Sequence, residues 1–121
     1  MQSTKKLLLP VMVCSVLFLS GCASKNTYYW GDYEQLVHDM YIEPGSADAT
    51  TQIEKLTTDI QKAQSSGKPT PPGVHAHLGY MYSLQGNTSE AKTALLQEKA
   101  LYPESAVLID GMLERAFGDK K

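Results

Sequence analysis

Cysteine is almost missing from this chain: 121 residues carry two, Cys14 and Cys22, and none lies beyond residue 22. No disulfide can staple a domain built from the rest, so its stability has to come from packing. Basic residues are also few. Lys and Arg number 11 against 13 Asp and Glu, with no basic block, which excludes the cationic face of a nucleic-acid binder and adhesion to anionic lipid by charge alone. Long apolar runs are lacking too: the longest, Leu7 to Leu19, falls short of the ~20 residues that span a membrane as a helix. No segment alternates apolar and polar positions with β-branched residues, so no sheet is expected. Gly-x-Ser-x-Gly and phosphate-loop spacings are absent. His75 and His77 would sit about 200° apart on a helix, unable to chelate one ion together, and His38 is isolated. No metal, cofactor or catalytic residue is expected, and Glu54, Asp59, Glu90 and Glu98 read as solvated helix faces.

What is present begins with Lys5, Lys6, the apolar run and then Leu19-Ser20-Gly21-Cys22, the layout of an export signal over residues 1–21. Leu-Ser-Gly-Cys resembles the bacterial lipobox. That resemblance implies that the Cys22 thiol takes a diacylglycerol and becomes the first mature residue, attached to the membrane through lipid. The remaining 100 residues carry nine cations and 13 acids, a net charge of −4. Ala23 and Ser24 follow the cysteine, with no aspartate to retain the protein in an inner membrane, so the outer membrane, periplasmic face, is the expected address. Residues 22–30 read as lipidated cysteine and tether, its stretch from Ala23 to Thr27 reaching roughly 16–18 Å. Tyr28, Tyr29, Trp30 and Tyr33 could lie at headgroup level, or Trp30 and Tyr33 could start the apolar face of the first helix. The second reading is preferred.

From residue 31 to 118 the pattern is helical. Tyr33, Leu36, Val37, Met40 and Tyr41 form one stripe, ended near Ile42 by Glu43-Pro44-Gly45-Ser46. Asp48 can cap a second helix whose Ala49, Ile53, Leu56, Ile60 and Ala63 are spaced four, three, four, three. After a connector at residues 68–73, rich in proline, a third helix spans about Val74 to Gln85. Thr88 or Ser89 can cap a fourth, carrying Ala91, Ala94, Leu95 and Leu101. A fifth, from about Glu104 to Phe117, lines up Leu108, Ile109, Met112, Leu113, Ala116 and Phe117.

Leu78, Gly79, Tyr82, Gly86, Ala91, Leu95 and Pro103 fall at the offsets of the tetratricopeptide repeat. Gly79 and Ala91 are small where paired helices cross, Tyr82 and Leu95 fill the space between them, Gly86 takes the turn and Pro103 ends the pair. The match departs at Glu98, where the repeat prefers alanine, and at His75, where it prefers a large aromatic. The segment before it would be a degenerate first repeat. The expected fold is therefore all-α: about five helices in short tetratricopeptide-like hairpins.

The lipobox, the start YYWGDYEQLV and the segment LGYMYSLQGNTSEAKTALLQEKALYPES together resemble a family of small proteobacterial outer-membrane lipoproteins classed as domain of unknown function 4810. Members tend to occur beside lipoproteins similar to the curli secretion channel. The resemblance implies membership of an envelope complex and brings no catalytic residues. The expected function is a non-catalytic adaptor with a protein partner in the envelope, the alternative a peptidoglycan-acting enzyme or its accessory. Tetratricopeptide-like units usually bind through the first helix of each pair, so Gln35, His38, His77, Tyr80 and Gln85 are the candidate partner residues. Tyr80, two positions from both Leu78 and Tyr82, is the foremost.

Overall fold

Each breaker in the sequence separates two helices in the computed structural model, which describes residues 27–118. The signal at 1–21 and Cys22 lie outside the described residues. The helices are α1 Tyr33–Ile42, α2 Ala49–Ser65, α3 Val74–Leu84, α4 Thr88–Leu101 and α5 Ala106–Phe117, with a single 3-10 turn at Pro103–Ser105 before the last. The described residues contain no strand. The chain is all-α, as its 3.6-residue periodicity requires.

Asp48 caps α2 by accepting the Thr51 backbone N–H at 2.8 Å. That bond holds the Asp48 carboxyl below the usual carboxylate range. The cap of α4 is Asn87, one residue before Thr88 and two before Ser89, the expected hydroxyls, and its side chain makes no capping bond. Pro103 opens a 3-10 turn instead of the first turn of α5, so the final α-helix starts at Ala106.

Packing is sequential: α2 lies on α3, α3 makes its most extensive contact with α4, and α4 carries α5. Two apolar clusters result. Leu36, Leu56, Ile60, Val74, Leu78, Met81 and Ala94 join α1 through α4, and Ala76, Leu95 and Ile109 join α3, α4 and α5. Because α3 contributes to both, six of its eleven residues are buried. The end helices use one face each. Tyr41, expected on the apolar stripe, is 81% exposed, because only Leu36 is fully buried on α1. Leu101 is exposed for a similar reason: no helix among the described residues covers the outer side of α4 there.

The α3–α4 crossing depends on small residues. A Cβ on Gly79 would lie 2.7 Å from Leu95 Cγ and 3.0 Å from the Ala91 carbonyl oxygen, while Ala91 itself is fully buried. Ala91→Leu should overpack this contact and cost roughly 1–3 kcal/mol, a fall of about 4–8 °C in Tm per kcal/mol for a domain of this size. Thermal unfolding followed by circular dichroism measures it. An unchanged midpoint would contradict the close crossing.

Ordered packing begins before residue 31, the boundary expected from sequence. The Tyr29 N–H donates to the Pro69 carbonyl at 3.0 Å. Tyr28 meets Trp30 and Tyr102 edge-on, Trp30 stacks on Tyr33, and Tyr33 meets the His77 ring at 5.8 Å. These rings tie the segment before α1 to the connector and to α3; Tyr33 packs against the apolar cluster, while Trp30 precedes the helix and is exposed.

Candidate functional site

Two acids expected on solvated faces are buried, Asp59 at 6% exposure and Glu98 at 2%. Both cap a neighbouring helix. Asp59 Oδ2 accepts the N–H of Asp32, the cap residue of α1, at 2.9 Å. Glu98 Oε1 accepts the N–H of Gly73, the cap residue of α3, at 2.7 Å, and Oε2 that of Ala76 at 3.3 Å. Gly73 holds φ at +93°, a left-handed angle natural to glycine, and has no side chain with which to cap its own helix. Gly31 is likewise required: at φ +50° a Cβ there would stand 2.2 Å from Asp59 Oδ1.

Asp59 and Glu98 are each the eleventh residue of their helix, counted from Ala49 and Thr88. The two hairpins therefore use one capping device at equivalent positions. Burial pushes the Asp59 carboxyl above its ordinary value, partly offset by the Asp32 N–H. Both acids were legible in principle. Glu98 lies four residues after Ala94 and three after Leu95, and Asp59 three after Leu56, so each sits on the buried stripe of its helix. The departure of Glu98 from the repeat's alanine preference is a helix cap supplied from the next helix.

The histidines are structural in different ways. His77 Nε2–H donates to Gln52 Oε1 at 2.9 Å, since the Gln52 amide nitrogen is already used on the Ala47 carbonyl. With Tyr33 against its ring, half-buried His77 is turned into the α1–α2–α3 contact. Burial pushes both the His75 and His77 imidazoles below their ordinary pKa, so both are neutral at pH 7. Among the described residues no group of three His, Cys, Asp or Glu side chains is placed to hold a metal ion.

The five candidate partner residues do not share one surface. Gln35 bonds Asp39 on α1, and His38 lies exposed beside the same carboxylate. Gln85 donates to Thr50 Oγ1 at 2.8 Å, linking the end of α3 to the start of α2. Tyr80 borders a cavity of about 400 Å³ between α3 and α5, floored by Leu95 and walled by Ser83, Leu108, Met112, Arg115 and Ala116.

The cavity exists because α5 is fastened to α4 and not to α3. Lys99 Nζ bonds both Asp110 carboxylate oxygens at 2.7 and 2.9 Å, and Lys92 lies over the Phe117 ring. Between these attachments Ile109 packs on Leu95, and Tyr80 and Leu108 remain 48% and 57% exposed. Arg115 folds back over Gly111, and no carboxylate among the described residues lies within ion-pair distance of it. The arrangement offers an apolar slot with one unpaired cation at its wall. Tyr80 is legible in the sequence; Leu108 and Met112 are not, because their periodicity on α5 reads as ordinary core, and Arg115 reads as a solvated charge.

Among the described residues no helix is long and apolar enough to cross a membrane. A family model described as Domain of unknown function (DUF4810) matches residues 27–112. No curated protein and no solved structure matches the chain.

Proposed function

The chain belongs to the DUF4810 family, and from that premise we propose that it is a non-catalytic adaptor, anchored by lipid on Cys22 to the periplasmic face of the outer membrane. Its partner is a protein of the cell envelope, with a lipoprotein similar to the curli secretion channel as the first candidate. The observation that carries this reading is the apolar cavity around Tyr80. Its size suits a small number of apolar side chains, and Arg115 offers an acidic residue on the same segment a charge-assisted bond. A helical partner segment laid into such a groove would use apolar anchors for affinity and the charge for register. The non-catalytic part of the proposal is supported by the use of Asp59 and Glu98. Glu98 spends both carboxylate oxygens on backbone N–H groups and Asp59 spends one, a capping use that differs from the free cleft acid a peptidoglycan-cleaving enzyme needs.

The test is affinity capture of the lipidated protein from membranes in mild detergent, with mass spectrometry of what accompanies it. Tyr80 belongs to neither apolar cluster, so Tyr80→Ala should change stability by no more than about 0.5 kcal/mol. It should nevertheless lose the captured partner. Retention of the full set of captured proteins by a folded Tyr80→Ala variant would refute the proposed surface.

A further inference from the structure

A second cleft, of about 560 Å³, opens on the other side of α3, with walls from α2 and α4. Its lining is of a different chemistry. Gln61 and Gln64 face it from α2, Thr93 and Gln97 from α4, and His75 and Tyr82 from its α3 floor. No Lys or Arg lines it, and Glu90 is its single carboxylate. Gln35, Gln52 and Gln85, elsewhere in the fold, are all engaged in hydrogen bonds within the chain. Gln61, Gln64 and Gln97 are exposed and make no side-chain bond among the described residues. His75 is only 8% exposed, yet its ring nitrogens have no hydrogen-bond partner there either. They are not sealed off; they open to the cleft. A neutral imidazole open to the cleft can both donate and accept, so it suits a ligand that does the same.

We propose that this cleft binds a short, uncharged oligosaccharide. Amides and a neutral imidazole each donate and accept, which matches adjacent sugar hydroxyls. The Tyr82 ring, with Leu78, Ile60 and Ala94 beside it, provides an apolar bed for the C–H face of a pyranose. The volume lies within the ~300–1,000 Å³ range of small-molecule sites. Without a cation the lining does not suit a phosphorylated or acidic ligand. A peptide is also disfavoured, because the walls are helices with no sheet edge, continuous apolar groove or arginine cluster, the features by which peptides are commonly held. The site is separate from the Tyr80 cavity and does not depend on it.

The experiment is a nuclear magnetic resonance titration of the full ¹⁵N-labelled chain in mild detergent, with tri-N-acetylchitotriose and maltotriose as probes. At least one should produce saturable shifts confined to the cleft residues of α2, α3 and α4, with a Kd of about 1 mM or tighter. The double substitution Gln61→Ala with Gln97→Ala, at two exposed positions, should weaken binding roughly tenfold while leaving Tm unchanged. The proposal is overturned if neither sugar shifts the cleft at about 10 mM, or if the double substitution leaves the Kd unchanged. Tighter saturation by a capped trialanine peptide than by either sugar would overturn it equally, by making the cleft a peptide groove.

Discussion

Glu98→Ala should destabilise the protein by about 2–4 kcal/mol, although it installs the residue that the tetratricopeptide pattern prefers at that position. The side chain is 2% exposed and its two oxygens accept the Gly73 and Ala76 N–H groups. Removing it leaves two donors at the N-terminus of α3 unpaired and takes a negative charge from the positive end of that helix dipole. A void forms as well. Since α3 contributes to both apolar clusters, fraying its first turn loosens the whole stack. A domain of this size has only about 5–15 kcal/mol of stability, so the expected fall in Tm is roughly 10 °C or more. Glu98→Gln keeps the volume and one acceptor, and should lose about half as much. Urea unfolding of the three proteins gives the ordering. If alanine were equal to glutamate, or better, the cap would contribute nothing and the consensus residue would be the right one.

Cys22→Ala should abolish lipidation and with it anchoring in the outer membrane. A lipid chain contributes about 0.8 kcal/mol for each buried methylene, and two or more chains give stable anchoring. Without them the mature chain has a net charge of −4 and no basic block to hold it to anionic lipid. Metabolic labelling with a fatty acid, followed by fractionation, should find label and protein together in the outer membrane for the native chain. The variant should be unlabelled, and either unprocessed or released. Label persisting on Cys22→Ala would end the lipoprotein reading, while leaving the fold and both clefts as described.

The two predictions draw on different kinds of information. Residues 1–22 can be read locally, because an export signal is recognised as an extended run of charge, apolar length and small residues. Helix positions are nearly as local: Pro44, Gly67 and the prolines of the connector end helices wherever they stand, and the spacing from Ala49 to Ala63 has one helical reading. Glu98 is different. Its neighbours at i−3 and i−4 place it on the buried stripe, yet a charged residue there suits either a solvated face or a buried cap, and its partners Gly73 and Ala76 are 25 and 22 residues away.

Sequence by itself determined that this chain is all-α, that its helices lie between its breakers, and that no disulfide can hold the domain after residue 22, because these follow from short-range sterics, periodicity and composition. The tertiary structure alone decided which side of each helix is left over. Tyr80 borders a cavity because α5 is pinned to α4 and stands off α3; His77 is spent on Gln52 and Tyr33; His75 opens into a cleft ringed by unengaged glutamines. A helical stripe records that a face is apolar or polar, but its partner is set by the rotation and offset of helices distant in the chain, and those depend on the packing of side chains such as Leu95 against Gly79.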